Sequence, residues 1–232
     1  MKRSLIVVAA VAALAVPALS PAAPIRPGPY VSGFVGVSGA SNTDATTTDF
    51  VGGGTFNERV KFDPSINVGG TGGFDFGVVR LEGELSYKRG EISSITSQNV
   101  ATGTTSQIVD VDGSLGVLAM MVNTFIDLHN YSPITPYIGG GIGFAALHLT
   151  DTFGTNISGT TPSRGLVYER DDDTVFAYQL GGGLEVALNR RLSLDLGYRY
   201  FATSKAHFDN NLITTNMKFE SHNGAVGIRV KF

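Results

Sequence analysis

Cysteine is absent from all 232 residues, which excludes disulfides and thiolate metal sites. Charge is sparse as well. Asp, Glu, Lys and Arg make up 16% of the chain, and 17 basic residues against 20 acidic ones leave no basic footprint for nucleic acid. Helical periodicity is missing beyond the N-terminal segment, and with 30 glycines the composition describes neither a helical bundle nor a disordered chain. The N-terminal apolar run, residues 5–16, falls short of the roughly 20 residues that a membrane-spanning helix needs. It follows Lys2 and Arg3 and precedes the small residues Ser20, Ala22 and Ala23. Residues 1–23 therefore read as a cleavable export signal. With no Cys after it to carry a lipid, residues 24–232 remain as one exported domain.

What is present is alternation at period two. In residues 79–88, Val79, Leu81, Gly83, Leu85 and Tyr87 interleave with Arg80, Glu82, Glu84, Ser86 and Lys88. One face is apolar and ends in an aromatic ring, while the other is almost fully charged. Residues 192–201 repeat the plan, with Leu192, Leu194, Leu196, Tyr198 and Tyr200 against Ser193, Asp195, Gly197, Arg199 and Phe201. Such a strand separates an apolar medium from a polar one. Extending the pattern predicts eight strands, at 29–40, 64–76, 78–89, 108–128, 135–149, 174–188, 191–202 and 218–232. The apolar phase of the fourth slips between Val111 and Val122, which predicts a bulge or a shorter strand.

The connections alternate too. Short turns surround Gly77, residues 129–134, and Asn189 with Arg190. Long polar loops occupy 41–63, 90–107, 150–173 and 203–217. Tight turns at one end and long loops at the other are the asymmetry of an outer-membrane barrel. The fold expected is all-β, an eight-stranded antiparallel up-and-down transmembrane barrel with both termini on the periplasmic side. A soluble barrel with its apolar face inward shows the same alternation; loop asymmetry, aromatic-ended apolar faces and the terminal Phe232 favour the membrane. Phe232, on a face with Val226, Ile228 and Val230, reads as an assembly signal for the outer-membrane insertion machinery.

Eight strands enclose a bore that side chains can fill. Arg80, Lys88, Arg199, Arg229 and Lys231 bring cations to it, and Glu82, Glu84, Glu185 and Asp195 bring anions. Because a lone buried charge is costly, these groups are expected to satisfy one another, leaving a plug or a very narrow pore.

Chemistry-bearing patterns are weak. Residues Gly141 to Ala146 fit G-x-G-x-x-A, but they run on into a strand rather than a helix and lack the acidic partner of a nucleotide site. Asp110-Val111-Asp112-Gly113 begins like a calcium loop without its later ligands. Glu169, Asp171, Asp172 and Asp173 form an acidic cluster whose oxygens suit a divalent cation, although a solvated acidic loop is the stronger reading. His129, His148, His207 and His222 show no metal-binding spacing. Ser221 and His222, as strand neighbours, point to opposite faces and do not form a hydrolase pair. No cofactor and no catalysis are expected.

The run Thr135-Pro136-Tyr137-Ile138-Gly139-Gly140-Gly141-Ile142-Gly143, preceded by Asn123, Asp127, Ser132 and Pro133, resembles the opacity-protein and bacterial surface-antigen barrels. So do the opening Gly28-Pro29-Tyr30-Val31-Ser32-Gly33, the segment Ala177-Tyr178-Gln179-Leu180-Gly181-Gly182-Gly183, and the end, His222-Asn223-Gly224-Ala225-Val226-Gly227-Ile228-Arg229. The resemblance implies an eight-stranded outer-membrane barrel with variable external loops, used for adhesion, host interaction or small-solute leakage. It carries no catalytic motif. The partners it implies are outer-membrane lipid and lipopolysaccharide, the assembly machinery, and a host or extracellular ligand at the loops. A diffusion pore and, further off, a lipid-A-modifying enzyme are the alternatives.

Overall fold

Alternating strands of this kind pair edge to edge until no edge is left. The computed structural model describes residues 27–50, 53–128, 132–158, 161–209 and 213–232; residues 1–23, expected as an export signal, and His129 lie outside them. Fifteen strands are formed among the described residues. They are β1 (Gly28–Ala40), β2 (Thr43–Asp49), β3 (Gly54–Asp63), β4 (Ser65–Asp75), β5 (Val79–Asn99), β6 (Thr105–Asp112), β7 (Ser114–Asp127), β8 (Ile134–Leu149), β9 (Thr152–Asn156), β10 (Ser163–Tyr168), β11 (Asp171–Ala187), β12 (Leu192–Thr203), β13 (Ala206–Asp209), β14 (Ile213–Met217) and β15 (Glu220–Lys231).

Eight of them make a closed antiparallel ring in the order β1, β4, β5, β7, β8, β11, β12, β15 and back to β1. The closing pair runs from Tyr30↔Lys231 to Ala40↔Ser221. Closure matters because lipid offers no partner for a free backbone N–H or C=O. The fourth predicted strand divides at Gly113: β7 enters the wall and β6 leaves it to pair with β5 and β9. Asp110 there has φ 49°, and a Cβ on Gly113 would meet Thr152 Oγ1 at 2.2 Å.

At the turn end, Gly77 takes φ 102° and donates its N–H to Asp75 Oδ1 at 2.7 Å. Asn189 Oδ1 accepts the N–H groups of Arg191 and Leu192 at 2.9 Å each. Both are side-chain-closed turns of the kind Asp and Asn favour.

The four long connections, expected as loops, are β-hairpins instead. They pair with one another across the opposite end in the order β13, β14, β2, β3, β5, β6, β9, β10. Their Thr-rich sequences explain the difference. Thr43, Ala45 and Thr47 turn inward while Asp44 and Thr46 face out, and β-branched Thr suits such a half-buried pleat.

The two faces of the wall are inverted relative to a water-soluble barrel. Outward, Met120 is 68% exposed, Phe144 62% and Leu180 61%, within a belt that includes Val35, Leu85, Ile142 and Ile228. Inward, Arg80 and Asn123 are fully buried. A soluble monomer rarely shows a contiguous apolar patch beyond a few hundred Å², so a continuous belt fits hydrocarbon rather than water. Phe74, Phe76 and Phe232 border it at the turn end, and Tyr87, Phe176, Tyr178 and Tyr198 at the hairpin end. These are the interfacial aromatic girdles of a membrane barrel.

Candidate functional site: the filled bore and the hairpin sheet

The bore is filled in two tiers. In the turn-end tier, Arg229 donates to Glu185 Oε2 and, at 2.9 Å, to Asp195 Oδ2. Lys231 Nζ lies 3.1 Å from both Asp75 Oδ2 and Glu185 Oε1. Arg80 donates through Nε to Asp127 Oδ1 at 2.9 Å. Among the described residues its two Nη atoms have no hydrogen-bond partner; Nη1 lies 3.9 Å from Glu185 Oε2, and the guanidinium sits 4.6 Å from the Tyr137 ring centroid and 5.5 Å from that of Phe125, so ring quadrupoles and a longer ion pair serve it in place of close acceptors. The Tyr137 hydroxyl donates to Asp195 Oδ1 and that of Tyr30 to Glu82 Oε2, both at 2.7 Å.

Higher in the bore, Arg199 pairs with Glu84 and, at 3.5 Å, with Glu82. Glu84 Oε2 also accepts from Asn123 Nδ2 at 2.9 Å and Gln179 Nε2 at 2.8 Å. Lys88 ends the tier: its Nζ donates to Ser86 Oγ at 3.1 Å and lies 4.2 Å from the Phe201 ring centroid. These contacts hold Arg80, Glu82, Glu84, Lys88, Glu185 and Arg229 buried, with Asp195, Arg199 and Lys231 half-buried beside them. Asp75, Asp127, Tyr30, Tyr137, Asn123 and Gln179 join them without having been expected in the bore, although Asn123 and Asp127 share a period-two face and carry that signal.

The glycine-rich run of β8 makes the tier possible. A Cβ on Gly141 would meet Asn123 Oδ1 at 2.0 Å, so the residue's lack of a side chain is what admits that amide. The space between Asn67, Glu82, Arg199 and Arg229 is about 20 Å³, room for a single water.

The second tier is apolar. Ile92, Ile95, Leu115, Val117, Leu147, Leu149, Phe201 and Phe219 close the hairpin end of the bore as one cluster. Phe62 and Phe219 meet edge to face at 6.2 Å, a preferred aromatic geometry. Above it, Glu58 Oε2 accepts from Thr47 Oγ1 at 2.8 Å and from the Tyr168 hydroxyl at 2.6 Å, and the Thr47 and Thr215 hydroxyls lie 3.1 Å apart. Burial, then the charge of Glu58, pushes the Tyr168 phenol well above its ordinary range, so it stays a donor. One carboxylate thereby ties the first, third and fourth hairpins together.

The acidic cluster does not converge. Asp172 pairs outward with His148. Asp171 Oδ2 and Asp173 Oδ2 accept the N–H groups of Asp209 and His207, each at 2.8 Å. Among the described residues no group of three or more His, Asp or Glu is placed to hold a metal ion. Ser221 is buried in the bore, whereas His222 faces out and shares a hydrogen bond of 2.6 Å with Tyr198. Gly141 to Ala146 lie within β8, with no helix after them.

A closed ring of strands with a lipid-facing belt, a filled bore and a hairpin crown is an integral outer-membrane barrel. The chain belongs to the family described as "Outer membrane protein beta-barrel domain", which it matches over residues 6–232. It is 26% identical over 210 residues to outer membrane protein PagN of Salmonella typhimurium, covering 84% of this chain and 82% of that protein. A candidate adhesin of Rickettsia bellii is 24% identical over 149 residues, 61% of this chain and 60% of the relative. Among solved structures, outer membrane protein OprG of Pseudomonas aeruginosa aligns with a TM-score of 0.51 at 14% identity, over 88% of this chain and 96% of that one. That likeness speaks for the fold alone.

Proposed function

We propose that this barrel is a surface-exposed binding protein of adhesin type, without catalysis, that presents its hairpin crown outside the cell. The observation that carries the reading is the contrast between bore and crown. The bore is occupied by ion pairs and then by an apolar plug, which argues against solute passage. The four hairpins are zipped into one sheet and pinned by Glu58. A sheet ordered before binding loses less entropy when a ligand arrives. The candidate adhesin among the relatives points the same way.

In this reading the turns and both termini face the periplasm, residues 1–23 direct export, and Phe232, exposed at the turn end, is read by the assembly machinery. Cells carrying the full chain should adhere to host cells or matrix, and a variant with all four hairpins shortened should lose that adherence while still inserting in the outer membrane. Equal adherence by the shortened variant would reject the reading.

A further inference from the structure

The hairpin sheet has two ends, and they face each other. In the wall, β11 and β12 pair from Ala187↔Ser193 up to Ala177↔Thr203. Beyond that level β11 leads back to β10 and β12 leads on to β13, and these two strands are not paired with each other. The seam between them encloses a pocket of about 80 Å³.

Its two sides differ. On β13 the N–H groups of His207 and Asp209 are capped by Asp173 and Asp171, so that edge is occupied. On β10 the single strand partner among the described residues is β9, which leaves the other edge open, and Leu166 beside it is 47% exposed. An open edge in register with a sheet is a template for a further strand. Leu149, Tyr168 and Phe208 give the pocket an apolar floor. Its charged lining, Glu169, Asp171 and Asp209, is entirely acidic.

We infer that this seam receives an extended, cationic peptide segment of a partner protein, added as a strand along Ser163–Tyr168. The inference rests on the adhesin reading and names the kind of ligand the crown takes. Strand alternation sends every second side chain of the incoming segment toward the sheet's inner face. A small aliphatic group there fills the pocket, and Lys or Arg residues between meet the acidic rim. Backbone pairing supplies affinity with little sequence demand, and the rim supplies selection against acidic segments.

The test uses the full barrel in lipid nanodiscs and an acetylated octapeptide alternating Val and Lys. Saturable binding is expected, with slowed amide exchange in Ser163–Tyr168. A peptide alternating Val and Glu should bind about tenfold or more weakly. In a Glu169→Lys, Asp209→Lys variant, which keeps the β10 edge, the preference should reverse. No binding of the Val/Lys peptide, protection confined to other strands, or equal affinity for both peptides would overturn the inference. Adherence lost on shortening the hairpins yet retained in Leu166→Pro, which disrupts the edge, would reject the seam and leave the adhesin reading standing. Adherence indifferent to shortening would reject that reading itself.

Discussion

Arg229 touches Glu185 and Asp195 at once while 4.8 Å from the Tyr30 ring centroid, so its removal leaves Glu185 to Lys231 and Asp195 to the Tyr137 hydroxyl, with one more negative charge in the bore without its counterion. Leaving a buried charge without its partner costs about 3–5 kcal/mol. Arg229→Ala should lower unfolding stability in lipid vesicles by that order, measured by urea titration. Gly141→Val tests the opposite defect: its Cβ would collide with the Asn123 amide, and overpacking of this kind costs about 1–3 kcal/mol. The inward residues were legible because alternation within a strand sorts charges onto one face. Their partners were not. Arg80 meets Asp127 and Lys231 meets Asp75 across sequence gaps of 47 and 156 residues, and strand-local periodicity carries no information about which strands become neighbours.

At the scale of elements, the eight wall strands follow their predicted spans closely, except that β5 runs on to Asn99 and the fourth divides at Gly113. The crown was hidden from the sequence for a physical reason. Thr, Ser, Asn and Gly mark loops by composition, yet β2, β3, β6, β9 and β14 are held by pairing between hairpins far apart in the chain. Glu58 is the side chain on which that arrangement converges. Glu58→Ala would leave the buried Tyr168 hydroxyl without an acceptor, at a cost of about 1–3 kcal/mol. Hydrogen exchange should quicken in β2, β3 and β10 while wall strands β8 and β11 keep their protection; equal loosening of wall and crown would contradict the division of the molecule into wall and crown.

For the molecule as a whole, charged tier, apolar plug and crown lie in series, so ions meet one barrier after another. Planar-bilayer recordings of the purified barrel should show no stable single-channel steps. The central claim, however, is that the wall turns its apolar side to lipid and its charges inward. The chain has no Trp, so a single introduced Trp reports without background. Met120→Trp, on the exposed belt, and Phe201→Trp, inside the bore, can each be read in vesicles containing brominated lipid. The structure predicts strong quenching of the first and little of the second, whereas quenching of Phe201→Trp with Met120→Trp left bright would contradict it.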